Sequence, residues 1–129
     1  MSLRVLYIED EPDMLELVRL IVSRRGIEYH AATGGVKGID MINSVHPDLI
    51  LLDLMMPDLD GWEVYDYVKA SPELNRTPII IVTARSQSDE RLQAVRAAAN
   101  PDDYIIKPFG PSQLLEMIDK VMARANESG

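Results

Sequence analysis

The 129-residue sequence contains no cysteine, a single tryptophan and a single phenylalanine. Without cysteine the protein can form no disulfide and can use no thiolate as a nucleophile or metal ligand, which suits a reducing cytoplasm. No apolar run approaches the ~20 residues that a membrane-spanning helix needs, and no signal-peptide pattern opens the chain. We therefore expect a cytoplasmic protein that has no membrane partner.

Positive charge is also scarce, because 13 lysines and arginines face 21 acidic residues and the formal net charge is -8. The phosphates of nucleic acid are bound mainly by lysine and arginine, so this balance argues against direct binding of nucleic acid. A site for a cation is compatible with it. The composition, 47% hydrophobic and 26% charged, is typical of one globular domain. We expect a single domain over residues 1–129 with its core at about 4–124.

A unit of short apolar strand, loop and amphipathic helix occurs five times along the chain. This alternation predicts a mostly parallel sheet that is covered by helices on both faces. The predicted strands are Arg4–Ile8, Glu28–Ala32, 49–52, Ile79–Thr83 and Tyr104–Ile106. The predicted helices cover about 12–25, 36–45, Gly61–Ala70 and 88–99, and a fifth begins at Gly110-Pro111. We expect no regular structure in residues 1–3 and 126–129.

The predicted helices differ in how many large apolar residues they present to the core. Val36 belongs to the apolar positions of the second helix, and Tyr67 of the third helix is expected to point inward. The fourth predicted helix has a thin apolar face, formed by Leu92, Val95 and several alanines. Because the burial of alanine contributes little free energy, we expect this helix to be the least firmly held and the easiest to shift.

Polar residues follow four of the five predicted strands. Glu9 and Asp10 come after the first strand, Asp53 after the third, Thr83 at the end of the fourth and Lys107 after the fifth. The second strand ends without a charged residue. Ligands of such sheets bind at the carboxyl ends of the strands, where the strand order reverses. The pattern therefore favours the order 2-1-3-4-5 of a flavodoxin-like (βα)5 sandwich with three layers.

The residues at these strand ends form a chemically coherent set. Glu9, Asp10 and Asp53 would crowd three carboxylates together, and because like charges repel, a purely structural role makes poor sense without a cation. Mg2+ is typically held by one or two carboxylates together with waters and phosphate oxygens. Lys107 and Thr83 can both bind a phosphoryl oxygen, so the set predicts phosphoryl transfer to a carboxylate. On the stretch around Asp53 alone, a carboxylate that merely ends a strand is an equal alternative.

With these residues in place, the sequence resembles the receiver domain of two-component response regulators, similar to chemotaxis regulators, over about residues 4–124. Each segment that carries the resemblance is common by itself, but all of them in this order and at these spacings are highly specific. The segments are Ile8-Glu9-Asp10-Glu11, Asp53-Leu54-Met55-Met56-Pro57 with Asp60-Gly61, Thr83-Ala84, and Tyr104-Ile105-Ile106-Lys107-Pro108-Phe109.

The resemblance implies a role for each site residue. Asp53 would be the phosphoacceptor, and Asp10, Asp53 and the backbone carbonyl of Met55 would bind Mg2+ directly. Glu9 would act largely through a metal-bound water. Lys107 would pair with the phosphoryl oxygens.

A second group of residues would sense or tune the phosphorylated state. Thr83, followed by Ala84, would move to bond the phosphoryl group, and Tyr104 would turn inward. The side chains of Met55 and Arg85 would tune the lifetime of the phosphorylated state. The resemblance also implies a cis peptide bond before Pro108.

The implied function is a phosphorylation-dependent switch and not an enzyme in the usual sense. A histidine kinase or phosphotransfer protein would supply the phosphoryl group. The fourth helix, fifth strand and fifth helix would then present an altered face to a downstream protein or to an output domain. We expect the chain to be either a stand-alone receiver or part of a longer regulator.

Two other classes of function compete with this interpretation. A receiver fold that has lost phosphorylation could serve as a constitutive interaction module. The second class is an enzyme or cofactor carrier on the same architecture, such as a flavin protein or an aspartate-nucleophile phosphatase. A flavin protein would need a phosphate-binding loop after the first strand, where this chain has acidic residues. An aspartate-nucleophile phosphatase would need a second aspartate two residues after Asp53, where Met55 stands. The residues therefore favour the phosphorylated switch.

Overall fold

The structure is a computed structural model that describes residues 2–84 and 104–128. The predicted fourth helix, 88–99, and the predicted tuning residue Arg85 lie outside the described residues. Within them, no helix is both long enough and apolar enough to span a membrane.

Five parallel strands form one sheet, in the order β2-β1-β3-β4-β5. The strands are β1 (Arg4–Ile8), β2 (Glu28–Ala32), β3 (Leu49–Asp53), β4 (Ile79–Thr83) and β5 (Tyr104–Ile106). β3 and β4 are buried along their whole length, as expected for strands that are covered on both faces. The predicted strand order and the flavodoxin-like sheet are therefore confirmed.

Four helices lie within the described residues: α1 (Pro12–Ser23), α2 (Gly35–Val45), α3 (Gly61–Ala70) and a C-terminal helix (Pro111–Ser128). The C-terminal helix continues through residues 126–128, so the expectation of a structureless end was wrong there. No proline or glycine interrupts the sequence between its first residue and Ser128. Alanine, arginine and glutamate near its end favour a helix and let it continue.

The sheet separates two apolar cores, because alternate residues of each strand point to opposite faces. The first core joins β1, β3, β4 and β5 to α1 and the C-terminal helix, and its strand residues are Val5, Tyr7, Leu49, Leu51, Ile80, Val82 and Ile105. The second core lies under α2 and α3, and its strand residues are Leu6, Ile8, Ala32, Ile50, Leu52, Ile79 and Ile81.

Two helix residues lie elsewhere than their spacing predicted. Val36 is 55% exposed, and Tyr67 is 36% exposed. Val36 stands in the first turn of α2, where Gly35 and Gly38 face inward in its place. Tyr67 accepts a hydrogen bond at its hydroxyl from Asn43 Nδ2 (3.0 Å), which holds its ring across the exposed side of α2 and α3. The expectation that Tyr67 points inward was wrong, and Val36 lies outside the buried face of its helix, because helical periodicity does not fix the edges of a buried face.

Candidate functional site

Three polar or charged residues are buried in the described part of the chain, and all three lie at the carboxyl ends of strands. Glu9 follows β1, Asp53 ends β3 and Thr83 ends β4. Glu9 and Thr83 are fully buried, and Asp53 is 3% exposed. Because β1 and β4 flank β3 in the sheet, the three residues are brought to one edge. The sequence predicted this meeting point.

The carboxylates of Glu9, Asp10 and Asp53 form one cluster. Each residue offers an oxygen that lies within 4.8 Å of the others, and Asp10 is the half-buried member. Three carboxylates at this spacing repel one another when all are ionised. An oxygen donor set of this charge suits a hard dication such as Mg2+, which takes several of its ligands from water or substrate.

Lys107 is bound to this cluster through Glu9. Its Nζ donates to Oε2 of Glu9 at 2.8 Å, and the ammonium lies 4.0 Å from Oε1 of Glu11. The side chain of Lys107 is only 14% exposed, and its backbone N–H donates to the carbonyl oxygen of Thr83 (2.9 Å). The end of β4 therefore fixes the lysine backbone, while Glu9 holds the charged end.

Tyr7 is a site residue that the sequence analysis missed. Its hydroxyl donates to Oε2 of Glu9 at 2.7 Å, the same oxygen that accepts from Lys107. Tyr7 is fully buried and stands two residues before Glu9. Residues two apart in an extended chain point to the same side, so this spacing was a signal that could have identified the contact. The apolar pattern of β1 concealed it.

The two buried carboxyl groups have opposite pKa shifts. Burial raises the pKa of Asp53 to about 7, and the hydrogen bond and negative charge of Glu9 add to this rise. Burial alone would raise the pKa of Glu9 as well, but hydrogen bonds with Lys107, Asp53 and Tyr7 outweigh burial and lower it. Without a metal ion, the proton of the pair therefore belongs to Asp53 and the negative charge to Glu9.

The segment between β3 and α3 is tied to Asp53 at both ends. The N–H of Met55 donates to Oδ1 of Asp53 (3.3 Å), while the Met55 side chain is exposed. Asp60 caps α3 by accepting from the N–H of Trp62 (2.9 Å). Gly61, the first residue of α3, lies so close that a Cβ there would overlap the carbonyl oxygen of Asp53. Glycine is therefore required for this packing.

The middle of the same segment is fastened to α2. The carboxylate of Asp58 accepts from the N–H groups of Gly35 (3.1 Å) and Val36 (3.2 Å), and these two hydrogen bonds lower its pKa. A Cβ at Gly34 would press against this carboxylate, and φ at Gly34 is +132°. Asp58 thus caps α2 from a distant loop, a contact that local spacing could not predict.

The remaining predicted site residues in the described part of the chain lie after β4, in β5 and after β5. Ala84 is exposed next to Thr83, and Tyr104 is half-buried against the core under α3. The peptide bond between Lys107 and Pro108 is cis, as the resemblance implies. The structure thus gathers the acidic residues, the lysine and the threonine at one end of the sheet.

Comparisons with known proteins identify the family and the fold of the chain. The family model described as "Response regulator receiver domain" matches residues 5–119. The phosphate regulon transcriptional regulatory protein PhoB of Escherichia coli (strain K12) is 33% identical over 124 residues, which cover 96% of this chain and 53% of PhoB. Response regulator MprA of Mycobacterium tuberculosis (strain H37Rv) is 37% identical over 124 residues, which cover 96% and 52%. The chain spans about half the length of these curated relatives.

Solved structures show the same fold. A CheY-like response regulator receiver domain protein from Methanospirillum hungatei is 25% identical, with a TM-score of 0.87 and complete coverage of both chains. Chemotaxis protein CheY4 of Vibrio cholerae is 25% identical, with a TM-score of 0.82 and coverage of 94% of this chain and 99% of CheY4. The chain belongs to the family of response regulator receiver domains.

Proposed function

We propose that this receiver domain is a phosphorylation-dependent switch in which Asp53 accepts a phosphoryl group from a histidine kinase or phosphotransfer protein. The observation that carries the proposal is the cluster itself. Asp53 is almost fully buried at the end of β3, next to two further carboxylates and a lysine that is bound to Glu9. A structural role alone gives no reason to place this much charge at the end of a sheet.

The donor set fits Mg2+. Glu9, Asp10 and Asp53 offer carboxylate oxygens within 4.8 Å of one another. The backbone carbonyl of Met55, two residues after Asp53, is the further ligand that the resemblance to receiver domains implies. A dication held there would neutralise the carboxylates and the phosphoryl oxygens during transfer. Asp10 and Asp53 are the proposed direct ligands, and Glu9 is the proposed partner of a metal-bound water. The residues present therefore supply the oxygen ligands that such an ion prefers.

The chemical step is an in-line transfer. An oxygen of ionised Asp53 attacks phosphorus and an O–P bond forms. The P–N bond to the donor histidine breaks, its electron pair stays on the imidazole nitrogen, and that nitrogen takes a proton from solvent. Without a metal ion the pKa of Asp53 is raised. A bound cation would lower this pKa, because a nearby positive charge favours the ionised carboxylate that acts as the nucleophile. Lys107 then moves its ammonium from Glu9 to the phosphoryl oxygens, because a phosphoryl group carries more negative charge than the carboxylate of Glu9 does.

The proposed response to phosphorylation involves Thr83 and Tyr104. The hydroxyl of Thr83 bonds the phosphoryl group, and Tyr104 turns inward toward the space that Thr83 leaves. Tyr104 is the first residue of β5. In the proposed response, its movement alters a face of the domain that includes β5 and the C-terminal helix. In thermodynamic terms, phosphorylation stabilises a conformer that is otherwise a minor state. A downstream protein, or an output domain of a longer regulator, reads that face.

Mass spectrometry with a small-molecule phosphodonor tests the proposal. Incubation with acetyl phosphate and Mg2+ should add one phosphoryl group, and the adduct should map to Asp53. The matched control Asp53→Asn, which keeps the side-chain shape, should gain none. EDTA should abolish the adduct in the wild type. A folded wild type that gains no adduct on Asp53 would support the constitutive interaction module instead.

A further inference from the structure

We propose that Tyr7 is a positioning residue of the phosphorylation site: its hydroxyl keeps the carboxylate of Glu9 hydrogen-bonded when Lys107 turns to the phosphoryl group. This inference rests on the proposed function and assigns a role to a residue that the acidic motif does not include. It follows from one shared atom. Oε2 of Glu9 accepts from Tyr7 at 2.7 Å and from Lys107 at 2.8 Å.

The surroundings of this atom make the second donor important. Glu9 is fully buried, so bulk solvent does not reach an oxygen that loses its partner. An ionised buried carboxylate without donors is costly, and hydrogen bonds to charged groups are the strong ones. The other oxygen of Glu9 has a long contact from the N–H of Glu11 (3.4 Å). Tyr7 and Lys107 therefore provide the short hydrogen bonds to Oε2 of Glu9. The hydrogen bond between Glu9 and Asp53 needs a proton that Asp53 does not carry once it is phosphorylated.

The position of the Lys107 ammonium distinguishes the resting state from the phosphorylated state. In the resting state Oε2 of Glu9 has two donors, and loss of the phenol leaves the ammonium in place. In the phosphorylated state the ammonium has turned to the phosphoryl group, and the phenol is the donor that stays. Removal of the hydroxyl therefore destabilises the phosphorylated state more than the resting state.

The side chain of Tyr7 is held in place for this role. Its ring lies in the core between the sheet, α1 and the C-terminal helix. β1 pairs with β2 on one side and β3 on the other, so the backbone at Tyr7 is fixed by two neighbours, Ala31 and Leu51. A fully buried ring on a central strand gives the hydroxyl one position, and that position is on Glu9.

The chain offers a matched control for the loss of a tyrosine hydroxyl. Tyr29 on β2 donates its hydroxyl to the carbonyl oxygen of Leu15 at 2.7 Å, and no carboxylate takes part in that hydrogen bond. Tyr7→Phe and Tyr29→Phe each remove one hydroxyl and keep the ring. Only Tyr7→Phe changes the donors of Glu9.

The experiment measures the affinity of each protein for beryllofluoride, a phosphoryl mimic, at saturating Mg2+ by isothermal titration calorimetry. A calorimetric titration with Mg2+ alone and a thermal melt accompany it. We expect Tyr7→Phe to bind beryllofluoride about tenfold more weakly, as the loss of a hydrogen bond to a charged group predicts. We expect its affinity for Mg2+ alone to stay within about twofold of the wild type. Tyr29→Phe should bind both as the wild type does.

The outcomes separate the inference from the proposed function. A wild type that binds beryllofluoride, together with a Tyr7→Phe variant of equal affinity, would overturn the role of Tyr7 and leave the proposed function intact. An equal loss in Tyr7→Phe and Tyr29→Phe would also overturn it, because the cause would be general destabilisation. A wild type that does not bind beryllofluoride would overturn both.

A measurement on the wild type keeps the inference testable if Tyr7→Phe does not fold. The hydroxyl proton of Tyr7 should be visible by NMR in slow exchange with solvent, and it should remain so after Mg2+ and beryllofluoride are added. The ammonium resonance of Lys107 should shift in the same titration. Loss of the protected hydroxyl proton on addition of beryllofluoride would contradict the proposed role.

Discussion

Replacement of Asp53 by asparagine should stabilise the metal-free protein above neutral pH. Burial and Glu9 raise the pKa of this carboxyl from 3.8 to about 7. A raised pKa means that the folded state binds the proton more tightly than the unfolded state does. The protonated group therefore supports folding at low pH, and this stability is lost as the pH rises from about 4 through 7. Asparagine cannot ionise, so the variant does not lose it.

The size of the effect follows from the displacement of the pKa. About three pKa units correspond to about 4 kcal/mol in the free energy of unfolding, since each unit is worth about 1.4 kcal/mol. The side chain is 3% exposed, so little of this is lost to solvent screening. We expect Asp53→Asn to equal the wild type near pH 4 and to exceed it by up to about 4 kcal/mol at pH 8.

Urea denaturation in EDTA, at intervals from pH 4 to 8.5, measures this difference. The matched control is Asp58→Asn, because hydrogen bonds from the N–H groups of Gly35 and Val36 lower the pKa of Asp58. The contribution of Asp58 to the free energy of unfolding has the opposite pH dependence. Its ionised carboxylate supports folding above the ordinary pKa, and that support is lost as the pH falls through the lowered pKa. Parallel curves for Asp53→Asn and the wild type at every pH would refute the argument.

Two further predictions follow from the acidic cluster and from the segment after β3. Mg2+ at ten times its dissociation constant should stabilise the folded wild type by about 1.4 kcal/mol, which a thermal melt detects, and an equal response in Asp10→Ala would contradict the proposed ligand set. Gly61→Ala should lower the free energy of unfolding by about 2 kcal/mol or more, because the new methyl group overlaps the carbonyl oxygen of Asp53. Urea denaturation checks it, with Ala70→Gly at the other end of α3 as a milder control.

Much of the fold could be predicted from the sequence because the strands are short, distinct runs of apolar residues. The run of aliphatic residues that ends at Asp53 fits a strand that is buried on both faces, and the polar residues at the strand ends then favour one order of neighbouring strands. The contacts of the site were harder to foresee. The capping of α2 by Asp58 joins residues 22 and 23 positions apart, and its signal is three-dimensional.

Side-chain partners within the cluster were also hidden. The sequence indicated a role for Lys107 on phosphoryl oxygens, but its partner in this structure is Glu9. Tyr7 reads as an ordinary strand aromatic, since the ring fits the apolar core and only the hydroxyl belongs to the site. Val36 and Tyr67 show the same limit on helices, because an apolar residue at the edge of a buried face can point to the core or to solvent.

The alternation of β-strand residues divides the site between the two faces of the sheet. Tyr7 and Asp53 share the parity of the residues that pack under α1 and the C-terminal helix, whereas Thr83 and Tyr104 share the parity of those that pack under α2 and α3. In the proposed switch, the layer that contains Asp53 therefore takes part in phosphoryl transfer, and the layer that contains Thr83 and Tyr104 responds to it. Core substitutions in the first layer should alter how fast the domain is phosphorylated, and those in the second should alter what phosphorylation accomplishes.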